Sequence, residues 1–163
     1  MATHVVIGDP HCTPKASNER FLWAGRLAAD VRATHIICMG DFCSMDSLSS
    51  YDKKKKSFEG RRYQKDMQHS HEALSLFNKG LGKHKARKIM LHGNHEDRID
   101  RFVDENPELD GTLKISDLNF KQYGWQEVPY KQNKVLNGVY YAHHFPSGIL
   151  GSAISGENIA RTL

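Results

Sequence analysis

The chain has too few cysteines for a disulfide framework. There are three, Cys12, Cys38 and Cys43, an odd number with no CxxC pair. That predicts free thiols in a reducing compartment and excludes the small secreted class stapled by disulfides. No apolar run approaches the roughly 18 residues a membrane span needs, so no membrane partner is expected. No basic n-region or cleavage site precedes the first apolar stretch, and the expected location is therefore the cytoplasm. Internal repeats and linkers are lacking too. What is present is 39% hydrophobic and 26% charged residues over 163 positions, the composition of one globular domain able to build a core.

The net charge is only +4, but it is unevenly spread. Lys53, Lys54, Lys55, Lys56, Arg61, Arg62 and Lys65 are interleaved with Tyr51, Phe58 and Tyr63. A second basic group runs from Lys83 to Lys88. Basic residues beside aromatics can grip a phosphate backbone and stack bases. From charge alone, a solvated loop and helix face is the favoured reading.

Hydrophobic patterning predicts strands over 4–8, 35–39, 88–91 and 139–142, with helices over 18–31, 60–78 and 96–105. The segment 43–56, rich in Ser and Lys, reads as a surface loop, and Phe21 and Trp23 as a packed helix face. Alternating elements of this kind specify an α/β fold. The ends of the strands carry the chemistry. THVVIGDPHC delivers Asp9 and His11 on either side of a proline that stops regular pairing. HIICMGDF delivers Asp41, KIMLHGNHEDR delivers Asn94 and His95, and GVYYAHHF delivers His143. Sites in α/β sheets lie outside the carboxyl ends of strands, so four tips supplying oxygen and nitrogen donors point to a metal centre. His69 and His71, two apart on a helix, do not share a face and are not read as a chelating pair.

GDPH, GDF, GNHE and the His of YYAHH resemble, in order and spacing, the first four motifs of the calcineurin-like metallophosphoesterases. The resemblance implies a sandwich of two β-sheets flanked by helices (αββα) with two divalent metal ions at the sheet tips. Mn²⁺ is the expected ion, with Fe, Zn, Ni, Co or Mg as alternatives. It further implies that Asp9 and His11 bind the first ion, Asp41 bridges both, and Asn94 and His143 bind the second. His95 corresponds to a non-ligand histidine that assists the leaving group, and Glu96, opening a helix, is expected to orient it. His95 and Asp41 are thus the expected catalytic residues, with His92, Arg98, Lys54 and Arg61 as substrate contacts. A carboxylate can bridge two cations about 3.5–4 Å apart, and neutral Asn and His complete the shells without excess negative charge.

The DRG element and the Arg before GNHE, which mark protein Ser/Thr phosphatases, are absent. GDFCSMDSLSSYDKKKK and GNHEDRIDR look more like phosphoesterases encoded by bacteriophages, which would place the chain in a host cytoplasm. The expected activity is hydrolysis of nucleic-acid or nucleotide phosphodiesters, on single- or double-stranded substrate. Phosphomonoester hydrolysis is one alternative, and a weakly active protein that binds metal and nucleic acid is another. The family's fifth motif, GHxH, does not occur, and the sequence ends at SGENIARTL. The single domain 1–163 is therefore expected to be incomplete at its C-terminus, with each metal one histidine short. Lost partner strands would leave an apolar edge that favours a homodimer. Ser155 is read as the N-cap of a short terminal helix, and His144 as a pocket wall.

Overall fold

Short runs of branched apolar residues set the central layer. In a computed structural model, which describes residues 2–143, four strands pair in parallel in sequence order. They are β1 (His4–Ile7), β2 (His35–Cys38), β3 (Arg87–Leu91) and β4 (Trp125–Val128). Register runs His4↔His35 between β1 and β2, and His35↔Arg87 between β2 and β3. Helix α1 (Glu19–Asp30) links β1 to β2, α2 (Tyr63–Leu81) links β2 to β3, and α3 (Arg98–Glu105) follows β3. A hairpin of β5 (Asn133–Leu136) and β6 (Val139–Ala142) forms a separate antiparallel sheet. The architecture is mixed α/β. His144, Ser155 and the expected terminal helix lie outside the described residues.

Period two in the strands separates two cores. Ile36, Cys38 and Met90 pack with Phe21, Ala28, Leu74 and Phe77 from α1 and α2. Ile37, Ile89 and Leu91 face the other way, onto Leu136 and Tyr141 of the hairpin. The parallel sheet is thus covered by helices on one side and by the hairpin on the other, which is why β2 is apolar from Ile36 to Cys38 and β3 from Ile89 to Leu91. Among the described residues no helix is long and apolar enough to cross a membrane.

Several local expectations need correction. Trp23 is 56% exposed, whereas Phe21 is buried, because the packed face of α1 runs through Phe21, Gly25 and Ala28. The segment expected as a surface loop is buried from Cys43 through Met45 and again at Leu48 and Ser49. Its backbone is satisfied internally: Ser47 N–H donates to Asp66 Oδ2, and Ser44 N–H to Cys12 O. Exposure begins at Ser50. β4 and β5, not foreseen, read WQEV and NKVL, where polar residues interrupt any apolar run. α3 begins at Arg98 rather than at Glu96.

α1 and α2 approach so closely that glycine is required at the crossing. A Cβ on Gly80 would lie 3.0 Å from Arg26 N and closer still to Leu22 O. Gly80→Ala would gain about 1 kcal/mol of helix propensity but force the backbones apart, and overpacking costs about 1–3 kcal/mol. Net destabilisation is expected in urea denaturation. A variant more stable than wild type would show that the crossing can widen freely.

Candidate metal centre

The turn after β1 and the turn after β2 are tied together side by side. His11 N–H donates to Asp41 O (3.0 Å) and Cys12 N–H to Phe42 O (2.7 Å). Arg20, reaching from α1, donates through Nη2 to the carbonyls of Pro10 and His11. His11 and Asp41 both adopt left-handed backbone, at φ +46° and +48°. Non-glycine residues held there cost on the order of 1–3 kcal/mol each, and such strain concentrates at functional sites.

Asp41 is the hub. Its Oδ2 lies 3.9 Å from His11 Nε2 and 3.9 Å from His95 Nε2. These donor atoms of His11, Asp41 and His95 all fall within 4.8 Å of one another, a spacing that can hold a metal ion. On the other side, Asp41 Oδ1 lies 3.5 Å from His143 Nε2, which is 3.4 Å from Asn94 Oδ1.

Tautomers follow from the outer contacts. His143 Nδ1 is 2.6 Å from Met39 O and His95 Nδ1 is 2.8 Å from Ser44 O. A carbonyl can only accept, so both rings carry their proton on Nδ1, and the neutral Nε2 atoms keep their lone pairs. The Nε2 of His143 faces the Asp41 carboxylate and the Asn94 amide oxygen, and that of His95 faces the Asp41 carboxylate while also accepting an N–H from Arg98. Two groups of acceptors thus converge from opposite sides of one carboxylate, and imidazoles braced through their far nitrogen by backbone carbonyls are the usual arrangement of metal-ligating histidines. The donor set, carboxylate with imidazole and amide oxygen, fits a divalent first-row cation.

Glycines make the convergence possible. A Cβ on Gly93 would lie 2.9 Å from Asp41 Cγ, and one on Gly40 the same distance from His143 Cγ.

Glu96 holds the frame. Its side chain is fully buried, and its carboxylate accepts N–H bonds from Asp41 (3.0 Å), Gly93 (2.8 Å) and Cys43 (3.0 Å). Burial pushes its pKa up to about 7, against the pull of the backbone donors. Its place is therefore beneath the turns that carry Asp41 and Asn94, not at the start of α3.

Burial, then the neighbouring Arg98, lowers the His95 pKa and favours the neutral ring. Arg98 donates through Nη1 to Ser44 O and through Nη2 to His95 Nε2 (3.0 Å).

The structure brings Asp41, Asn94, His95, His11 and His143 together. Asp9, expected beside His11, has its carboxylate 3.7 Å from His143 Nδ1 and 58% exposed, while His95 stands next to His11, ring centroids 4.6 Å apart. His92 is buried and hydrogen-bonded to Glu127 (2.9 Å). Arg61 is directed inward, paired with Asp52 (2.9 Å) and donating to the carbonyls of Ser57 and Asp46. Lys54 is exposed on the loop. Sequence reasoning missed the carbonyls of Met39 and Ser44 as braces. No side-chain signal could reveal them, since every residue carries a carbonyl.

Compared with known proteins, the chain matches no family model, no curated protein and no solved structure.

Proposed function

We propose that this chain is a divalent-metal-dependent phosphodiesterase of the metallophosphoesterase type, acting on nucleic-acid or nucleotide phosphodiesters. The observation that carries the reading is the pair of acceptor clusters sharing Asp41. His11 and Asp41 would hold one cation, with His95 joining them when Arg98 releases its Nε2, and Asp41, Asn94 and His143 would hold the other, with Asp9 bordering the second. Mn²⁺ suits this mixture of oxygen and nitrogen donors. Bound there, the cations supply Lewis acidity, lowering the pKa of a water nucleophile and neutralising phosphate oxygens. Water adds at phosphorus and one P–O ester bond breaks, leaving a phosphomonoester and an alcohol.

The chain's own residues position these partners. Asp41 spans both clusters, so the two sites stay in fixed relation. Glu96 fixes Asp41 and the Gly93 turn from below. Arg98 shares its guanidinium between Ser44 O and His95, and its charge favours an anionic phosphate at the mouth of the centre. The four-stranded sheet with the hairpin packed across it is compatible with a two-sheet sandwich.

Calorimetric titration with Mn²⁺ and hydrolysis of bis(p-nitrophenyl) phosphate test the reading together. Two ions and metal-dependent diester hydrolysis, faster than hydrolysis of p-nitrophenyl phosphate, are expected. A reversed preference would select a phosphomonoesterase. Metal binding without hydrolysis of either ester would overturn the enzymatic reading.

A further inference from the structure

Of the three aromatics set among the basic residues of 51–65, two are committed inside the fold. Tyr63 donates its hydroxyl to Asp117 Oδ2 (2.9 Å), and the ring of Phe58 is covered by the Arg61 guanidinium at 5.5 Å. Tyr51 is different. It is 81% exposed, the highest exposure of any large hydrophobic or aromatic side chain described. A free ring in water is ordinary at a wobbling loop tip, but this loop is pinned next door. Asp52 accepts an ion pair from Arg61 at 2.9 Å, and Arg61 also grips the carbonyls of Asp46 and Ser57. The backbone that carries the ring is therefore anchored at the next residue, while the ring itself faces water.

That position matters because of what it borders. Tyr51, Leu48 and Ser50 line a cleft together with Arg98, Arg101, Phe102 and Glu105, whose carboxylate is paired with Lys53 (3.7 Å). Arg98 is the same residue whose Nη2 donates to His95 at the metal centre. Arg101 donates through Nη2 to the carbonyl of Asn94 (2.9 Å) and through Nε to Asp97 (3.0 Å), which leaves Nη1 for a phosphate. The cleft and the centre thus share a wall, and two guanidiniums lie between the centre and the aromatic ring. On the loop beyond, Lys54 and Lys56 are exposed and, among the described residues, pair with no acid. A planar apolar face, then guanidiniums, then free ammonium groups matches the alternation of base and phosphate along a single strand. A duplex keeps its bases stacked on one another and offers no free face to Tyr51.

We infer that the cleft between Tyr51 and Arg98–Arg101 is a base-stacking subsite for single-stranded nucleic acid, seating the nucleotide next to the phosphodiester held at Asp41. The inference deepens the phosphodiesterase reading and rests on it for the identity of the neighbouring phosphate. Tyr51 stacks the base, Arg101 and Lys54 meet flanking phosphates, and Arg98 joins the subsite to the centre.

The test is fluorescence anisotropy with a labelled single-stranded oligonucleotide, on the full chain with Mn²⁺ present. Tyr51→Ala should weaken binding roughly tenfold, the factor corresponding to about 1.4 kcal/mol of stacking. Tyr51→Trp should bind at least as tightly as wild type, because stacking needs the ring and not the hydroxyl. Lys54→Ser should act differently, lowering the slope of log affinity against log salt by about one, whereas Tyr51→Ala leaves that slope unchanged. Duplex binding should not respond to Tyr51→Ala. Wild-type affinity in Tyr51→Ala, equal losses on duplex and single strand, or a loss in Tyr51→Trp matching that in Tyr51→Ala would each overturn the inference. Hydrolysis of bis(p-nitrophenyl) phosphate by the same variants reads the catalytic centre separately. Its absence in wild type would sink the phosphodiesterase reading whatever the anisotropy shows.

Discussion

Asp41→Asn is expected to abolish binding of both cations and, with it, metal-dependent hydrolysis. The substitution keeps the shape of the side chain, and an amide oxygen can still accept the N–H of His95 that Asp41 Oδ1 now receives at 2.9 Å. The fold should therefore survive, and circular dichroism and urea denaturation should resemble wild type. What is lost is the one formal negative charge facing His11, His95 and His143 at 3.5–3.9 Å, and with it a bridging ligand. An amide NH₂ group on one side would also point a donor at a would-be cation. Removing a group that merely orients a ligand costs about 10–100-fold in affinity or activity, so losing the shared ligand should exceed that range. His143→Ala provides the contrast: it removes a donor from one cluster only, and binding of one ion should persist. Unchanged stoichiometry in Asp41→Asn would remove the model of two ions bridged by one carboxylate.

Glu96→Gln should be far from conservative. The carboxylate takes three backbone N–H bonds, two on Oε2 and one on Oε1, in a position closed to water. Whichever way an amide is turned, its NH₂ group confronts at least one backbone N–H. A buried unpaired donor costs about 1–3 kcal/mol, and charge-assisted bonds are replaced by neutral ones besides. A loss of about 2–4 kcal/mol on urea unfolding is expected, a large share of the roughly 5–15 kcal/mol typical of a domain. Because the three donors belong to Asp41, Cys43 and Gly93, the damage should fall on the turns beneath the centre, and Mn²⁺ affinity should fall with stability. Glu96→Gln with wild-type stability and wild-type metal affinity would show that these turns hold their shape without the carboxylate.

The two variants separate two ways of losing the same site. Asp41→Asn removes donors from an intact frame, so stability and metal binding should part company. Glu96→Gln leaves every donor in place and loosens the frame, so they should fall together.

The residues at the strand tips were legible because strand and chemistry coincide in one short stretch. A branched apolar run ending in Gly-Asp or Gly-Asn-His announces both an element and what it presents, and Asp41, Asn94, His95 and His143 do converge. The arrangement among them was not legible. Period two placed Asp9 and His11 on one side of an extended path, but His11 turns into left-handed backbone and the path bends there. Asp9 is left near His143, and His95 stands beside His11. Likewise Trp23 looked like core because it is large and apolar, yet the packed side of α1 is set by where Gly25 lets α2 approach.

By itself, then, the sequence determined the α/β class, the core strands β1 to β3 and the chemical types of the donors, since these depend on local patterning and on residue identity. Only the tertiary structure decided which donors share a cation, that Glu96 lies beneath them, and that Arg98 ties the centre to a cleft ending at Tyr51. Those relations depend on backbone carbonyls and amides meeting across segments about 50 to 100 positions apart. Every residue carries the same carbonyl and all but proline the same amide, so no pattern in the side chains encodes where they meet.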